Sequence, residues 1–117
     1  ADGREPSKIE GLSVPSVYRS FVTLRWLPAE ENGFAVTGHV LRYAEREDMG
    51  DPVEVSPVVA RKAGFDTCDL RHLKKTRHHF QVAAVNERGV SEWSDSVGID
   101  LTPLPAEAAL TDAPRKA

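Results

Sequence analysis

The sequence predicts an all-β protein, a two-layer antiparallel sandwich of seven strands. Three observations lead there. Apolar and polar side chains alternate at a period of two in most hydrophobic segments, turn chemistry rich in Gly, Pro, Asn and Asp separates those segments at near-regular intervals, and no convincing amphipathic helix interrupts the core region.

The elements follow in order. An opening strand is expected over Ile9 to Val14. Phe21 to Trp26 places Val22, Leu24 and Trp26 on one face and Thr23 and Arg25 on the other, and Pro28 then removes a backbone donor and ends the strand. Glu30-Glu31-Asn32-Gly33 supplies a polar turn. From Val36 to Glu45 the alternation resumes, with His39, Leu41 and Tyr43 inward and Val40, Arg42 and Ala44 outward. Val53 and Val55 mark a short strand whose flanking prolines, Pro52 and Pro57, suit a sheet edge. Phe65 to Leu70 is the next strand, and His78 to Val85 is the strongest, with His78, Phe80, Val82 and Ala84 inward. After the turn Asn86-Glu87-Arg88-Gly89, the residues Val97, Ile99 and Leu101 form the last.

A chain of 117 residues suits one domain with one core. Residues 1–5 read as an N-terminal tail, 6–102 as the domain, and 103–117, with three prolines around an Ala- and Glu-rich piece, as a linker or tail. Because the chain starts at Ala1 rather than Met, it reads as a piece of a longer protein.

The residues at this point resemble the fibronectin type III domain, an immunoglobulin-like sandwich, over roughly 6–102. Trp26 with Pro28, the run Thr37 to Tyr43, the run His78 to Asn86, and the Gly89 to Ser94 approach to the last strand carry the likeness. The resemblance implies a core indole at Trp26. It also implies a tyrosine where His78 stands, its hydroxyl bonding back to the preceding turn; the turn after Leu73 is shorter than that pattern, and a ring nitrogen of His78 could take the hydroxyl's place.

Two further comparisons bear on function. Adhesive members present Arg-Gly-Asp between their last two strands, whereas this chain has Arg88-Gly89-Val90 and so lacks the carboxylate. Asp2-Gly3-Arg4 has the wrong order, and integrin binding by that route is not expected. Val90-Ser91-Glu92-Trp93-Ser94 is similar to the Trp-Ser box of cytokine receptors with its first tryptophan missing. The outward residues of the neighbouring strand, His79, Gln81, Ala83 and Val85, include no arginine to stack, so Trp93 is expected to pack alone on the sheet surface.

Charge and chemistry narrow the classes. Fifteen Lys and Arg against 18 Asp and Glu give a net charge of −3, which supplies no field for gathering nucleic-acid phosphates. The local basic run Arg71, His72, Lys74, Lys75, Arg77, His78 and His79 reads as a solvated turn. No segment is apolar enough to insert in a membrane. Cys68 is alone, which excludes an intrachain disulfide, and no Asn-x-Ser/Thr site occurs; both lean toward an intracellular home.

No metal or other cofactor is expected, since His72, His78 and His79 lack ligand spacing and adjacent strand residues face opposite ways. Cys68 reads as a buried apolar group rather than a nucleophile. No catalytic motif is present, and an enzyme would require a pocket where titratable groups converge. The expectation is therefore a non-enzymatic protein-interaction module of a larger multidomain protein, monomeric in isolation. A spacer that arranges neighbouring domains is the alternative.

Binding would use the end loops or a sheet face. Loops Ala29 to Ala35 and Asn86 to Glu92 should emerge together, bringing Phe34 and Val90 among Glu30, Glu31, Arg88 and Glu92, with Trp93 beside them. A second role for Phe34, as a lid folded over the core, stays open.

Overall fold

The computed structural model describes residues 3–19 and 21–101. Nine strands occur in chain order: β1 Ser13–Val17, β2 Phe21–Trp26, β3 Gly38–Ala44, β4 Val53–Val55, β5 Ala60–Lys62, β6 Phe65–Arg71, β7 Arg77–Asn86, β8 Gly89–Val90 and β9 Val97–Asp100. One sheet has the order β1-β2-β6-β5; the other runs β4-β3-β7, with β8 and β9 both paired to β7. Every pairing is antiparallel. The two layers enclose a core built on Trp26, Phe80, Ile9, Leu24, Leu41, Val22 and Val82, each with side chains almost wholly out of water.

The alternation explains the core. In β2, Val22, Leu24 and Trp26 are buried while Arg25 is exposed, and β6 repeats the pattern with Asp66, Cys68 and Leu70 turned in. The inward set of β7 is buried as expected. Its outward residues His79 and Ala83 are buried too, at 7% and 0% exposure, so this central strand is covered on both faces.

Three strand assignments differ from the expectation. The opening strand starts at Ser13 instead of Ile9, because Gly11 adopts φ 76° and breaks the extended run, although Ile9 still fills the core and Leu27 N donates to Glu10 O. The strand β5 was not foreseen, since Ala60, Arg61 and Lys62 are all exposed and carry no alternation. It folds back on β6 through Ala63 (φ 52°) and Gly64 (φ 86°), a two-residue hairpin turn with both residues left-handed. The short β8 is the third difference. Together β8 and β9 are the two ends of one last strand, which leaves β7's ladder between Ser91 and Ser96.

The predicted basic turn also divides. His78 and His79 are buried in the sheet, so they add nothing to a surface cluster. Lys75 Nζ donates to Arg19 O, and Lys74 Nζ lies 3.5 Å from Glu45. The ring of His78 answers the question posed by the missing tyrosine: its Nε2 donates to Lys74 O at 3.0 Å, since a carbonyl can only accept. The imidazole thus ties β7 back to the turn four residues earlier.

Candidate functional site

At one end of the sandwich, the loop between β2 and β3 meets the loop between β7 and β8. Asn86 is the tie. Its side chain is buried, and Nδ2 donates toward Phe34 O at 3.3 Å, Glu31 O at 3.1 Å and Arg4 O at 2.8 Å, while Oδ1 accepts from Arg88 N at 2.7 Å. An amide suits this place because it donates and accepts at once. Asn32 closes the same end, with φ 56°, and its Nδ2 donates to Glu5 O.

Phe34 is half-buried between two neighbours. The Arg88 guanidinium lies over its ring, 5.0 Å from the centroid. The backbone of Gly3 lies against the ring so closely that a Cβ there would come within 2.1 Å of it. Residues 3–5, part of the expected N-terminal tail, are hydrogen-bonded to this end, with Arg4 N donating to Asn32 O at 3.0 Å. Phe34 is therefore covered in part by residue 3 and Arg88 and is otherwise surface.

The other expected site residues separate. Glu30 and Glu31 are exposed beside Phe34, and Glu31 Oε2 accepts from Val36 N at 3.2 Å. Glu30 and Glu92 line a hollow of about 250 Å³ with Arg4 and Lys8, which places Glu92 at the same end. Val90 is 52% exposed. Trp93 does not join them. It lies on the outer face of the β3/β7 sheet with the Arg42 guanidinium 4.3 Å from its ring centroid.

That stack corrects the expectation that Trp93 packs alone. The arginine comes from β3, the strand paired with β7 on its other side. Arg42 Nε donates to Gln81 Oε1 at 2.8 Å, and Gln81 Nε2 donates to Ser94 O at 2.8 Å, so the guanidinium is tethered through β7 to the Trp93 segment. The two serines of the same segment replace the backbone acceptors that a regular strand would offer β7. Ser91 and Ser94 Oγ accept from Ala84 N and Val82 N at 2.9 and 3.0 Å, while their own N–H groups donate to the carbonyls of the same two residues.

A second polar cluster was missed by sequence reasoning. His39, Asp66 and Arg61 line a cleft of about 390 Å³ at the opening between the sheets. Arg61 Nε donates to Asp66 Oδ1 at 2.5 Å, and His39 Nε2 stands 3.7 Å from Asp66 Oδ2, with the Trp26 ring 5.4 Å from the imidazole. Burial holds His39 below the usual histidine range; Asp66 pulls the other way and Arg61 adds to the lowering. Titratable groups do converge here. The carboxylate, however, is committed to the guanidinium, and His39 is too far from it for a hydrogen bond, so the arrangement is an ion-pair lock joining β5 to β6. Cys68 is buried elsewhere on β6, and burial, with a smaller contribution from Asp69, pushes its thiol up to about 12.

Two facing antiparallel sheets with this strand order define an immunoglobulin-like β-sandwich. Within that class the fold is that of a fibronectin type III domain. A solved structure described as a myokine superposes with a TM-score of 0.64 at 19% identity, covering 84% of this chain and 99% of its own. The chicken CNTN1 FN1-FN3 domains give 0.60 at 25% identity over 85% of this chain and 33% of theirs. The twitchin kinase region from C. elegans gives 0.66 at 17% identity, over 84% of this chain and 17% of that one. These likenesses concern the fold. No protein-family model matches the sequence.

Proposed function

We propose that this domain is a non-enzymatic protein-interaction module and that it binds a protein partner through the loop end carrying Phe34 and Arg88. The supporting observation is the stack of the Arg88 guanidinium on the Phe34 ring, with both loops tied through Asn86. An aromatic anchor held rigid by buried hydrogen bonds loses little side-chain freedom on binding. The carboxylates Glu30, Glu31, Glu87 and Glu92 form a polar rim and favour a partner whose contact patch is basic.

The test compares two changes in the parent protein. Phe34→Ala with Arg88→Ala should abolish partner binding while the melting temperature of the isolated domain stays within a few degrees of the unsubstituted chain. Replacement of the whole domain by an unrelated sandwich should abolish binding as well. A swap that restores function, with the double substitution silent, would make the domain a spacer.

A further inference from the structure

The outer face of the β1-β2-β6-β5 sheet carries a second, differently built surface. Its outward side chains come in cross-strand pairs. Phe21 of β2 stands opposite Arg71 of β6, Thr23 opposite Asp69, and Arg25 opposite Thr67. The Arg71 guanidinium lies over the Phe21 ring at 4.5 Å, and Arg25 reaches diagonally over the Phe65 ring at the same distance. Tyr18 stacks on Phe21 with centroids 4.5 Å apart. The three rings and Arg25 line a shallow groove of about 490 Å³ together with Lys62 and Val58, the latter 92% exposed, and Arg71 adjoins it over the Phe21 ring.

The charge of this face is opposite to that of the molecule. Its outward cations Arg25, Lys62 and Arg71 have no carboxylate partner within 4 Å among the described residues. Asp69, the only carboxylate among the described residues that line the groove, accepts from Thr23 Oγ1 at 2.8 Å. A guanidinium resting on a ring keeps its edge N–H groups free, in a fork that matches a carboxylate, while the ring supplies apolar contact beside it. Chain net charge is −3, so this local excess of cations is not a general property of the surface.

We infer that this sheet face is a docking surface for an extended acidic segment of a partner protein, one that sets carboxylates against Arg25 and Arg71 and apolar side chains between Phe21, Phe65 and Val58. A polypeptide fits better than a sulfated polysaccharide, because half-buried rings and an exposed valine separate the cations. The inference rests on the reading of the domain as an interaction module, yet it uses a surface separate from the loop end.

The probe is a displayed library of random ten-residue peptides selected on the immobilised 117-residue chain. Selected sequences should carry two or more Asp or Glu residues flanking apolar ones. Their binding should shift the amide resonances of residues 21–25 and 65–71 and weaken with rising salt. Arg25→Gln or Arg71→Gln, exposed changes that leave the core untouched, should each weaken binding by about tenfold, while Phe34→Ala with Arg88→Ala leaves it unchanged. The inference is overturned if no peptide is enriched, if selected peptides are not acidic, or if their shifts map to the loop end. A heparin hexasaccharide that shifts this face when no peptide does would also overturn it. Loss of partner binding at the loop end alone bears on the function proposed above and leaves this face unaffected.

Discussion

Cys68, Ala63 and His78 show what a single position can settle. Cys68 is 5% exposed and its thiol is raised to about 12, so it carries almost no thiolate at neutral pH. Labelling with a disulfide-exchange reagent should be slow in the native chain and immediate in guanidinium chloride; fast native labelling would contradict the burial. Ala63 holds φ 52° in the turn between β5 and β6, a conformation that Cβ disfavours by about 1 kcal/mol. Ala63→Asn should therefore raise stability by about 0.5–1 kcal/mol, read from the urea midpoint at constant slope. An unchanged or lower midpoint would mean the turn is not left-handed. His78 is the case where sequence stopped short: the absent tyrosine was legible, but whether a ring nitrogen reached Lys74 O depended on the path of a five-residue turn.

Among the elements, the last strand departs most from simple alternation. Ser91 and Ser94 fill the gap between β8 and β9 by giving β7 hydroxyl acceptors where a strand would give carbonyls. Ser91→Ala or Ser94→Ala leaves the buried N–H of Ala84 or Val82 without a partner, at a cost of about 1–3 kcal/mol each. Chemical denaturation would measure it, and hydrogen exchange at amides 82 and 84 should accelerate in the matching variant. A loss below a few tenths of a kcal/mol would show that water replaces the hydroxyl. The long strands were legible because burial of one sheet face imposes a period of two on their residues. The strand β5 was not, since an exposed edge of three residues buries nothing that the pattern could report. Trp93 shows the same limit: its partner Arg42 is 51 positions away in sequence, and only the pairing of β3 with β7 brings them together.

For the whole molecule, His39 couples stability to pH across the gap between the sheets. It stands on β3, faces Asp66 on β6 and Arg61 on β5, and neighbours the Trp26 indole from β2. Burial lowers its folded-state pKa below the unfolded value of about 6.5. The unfolded chain therefore binds the extra proton first, so the stability due to neutral His39 is complete above that unfolded pKa and is lost as pH falls below it toward the folded pKa. Melting temperature should fall on acidification from pH 7.5 through 6, and the fall should be smaller in His39→Gln. Equal slopes for the two proteins would remove His39 from the cause. At this scale the candidate site was partly legible. Turn chemistry marked both end loops, and their convergence followed from the inferred strand order; the clamp by Asn86 and the docking of residues 3–5 on this end, with Gly3 against Phe34, did not.

By itself, the order of residues determined that this chain is a sandwich with Trp26 inside, because each strand must turn its oily side chains from water and that demand is local. The tertiary structure alone decided which distant cations meet which rings: Arg88 with Phe34, Arg42 with Trp93, Arg71 with Phe21. Such contacts follow from strand register and loop path, which no window of neighbouring residues contains.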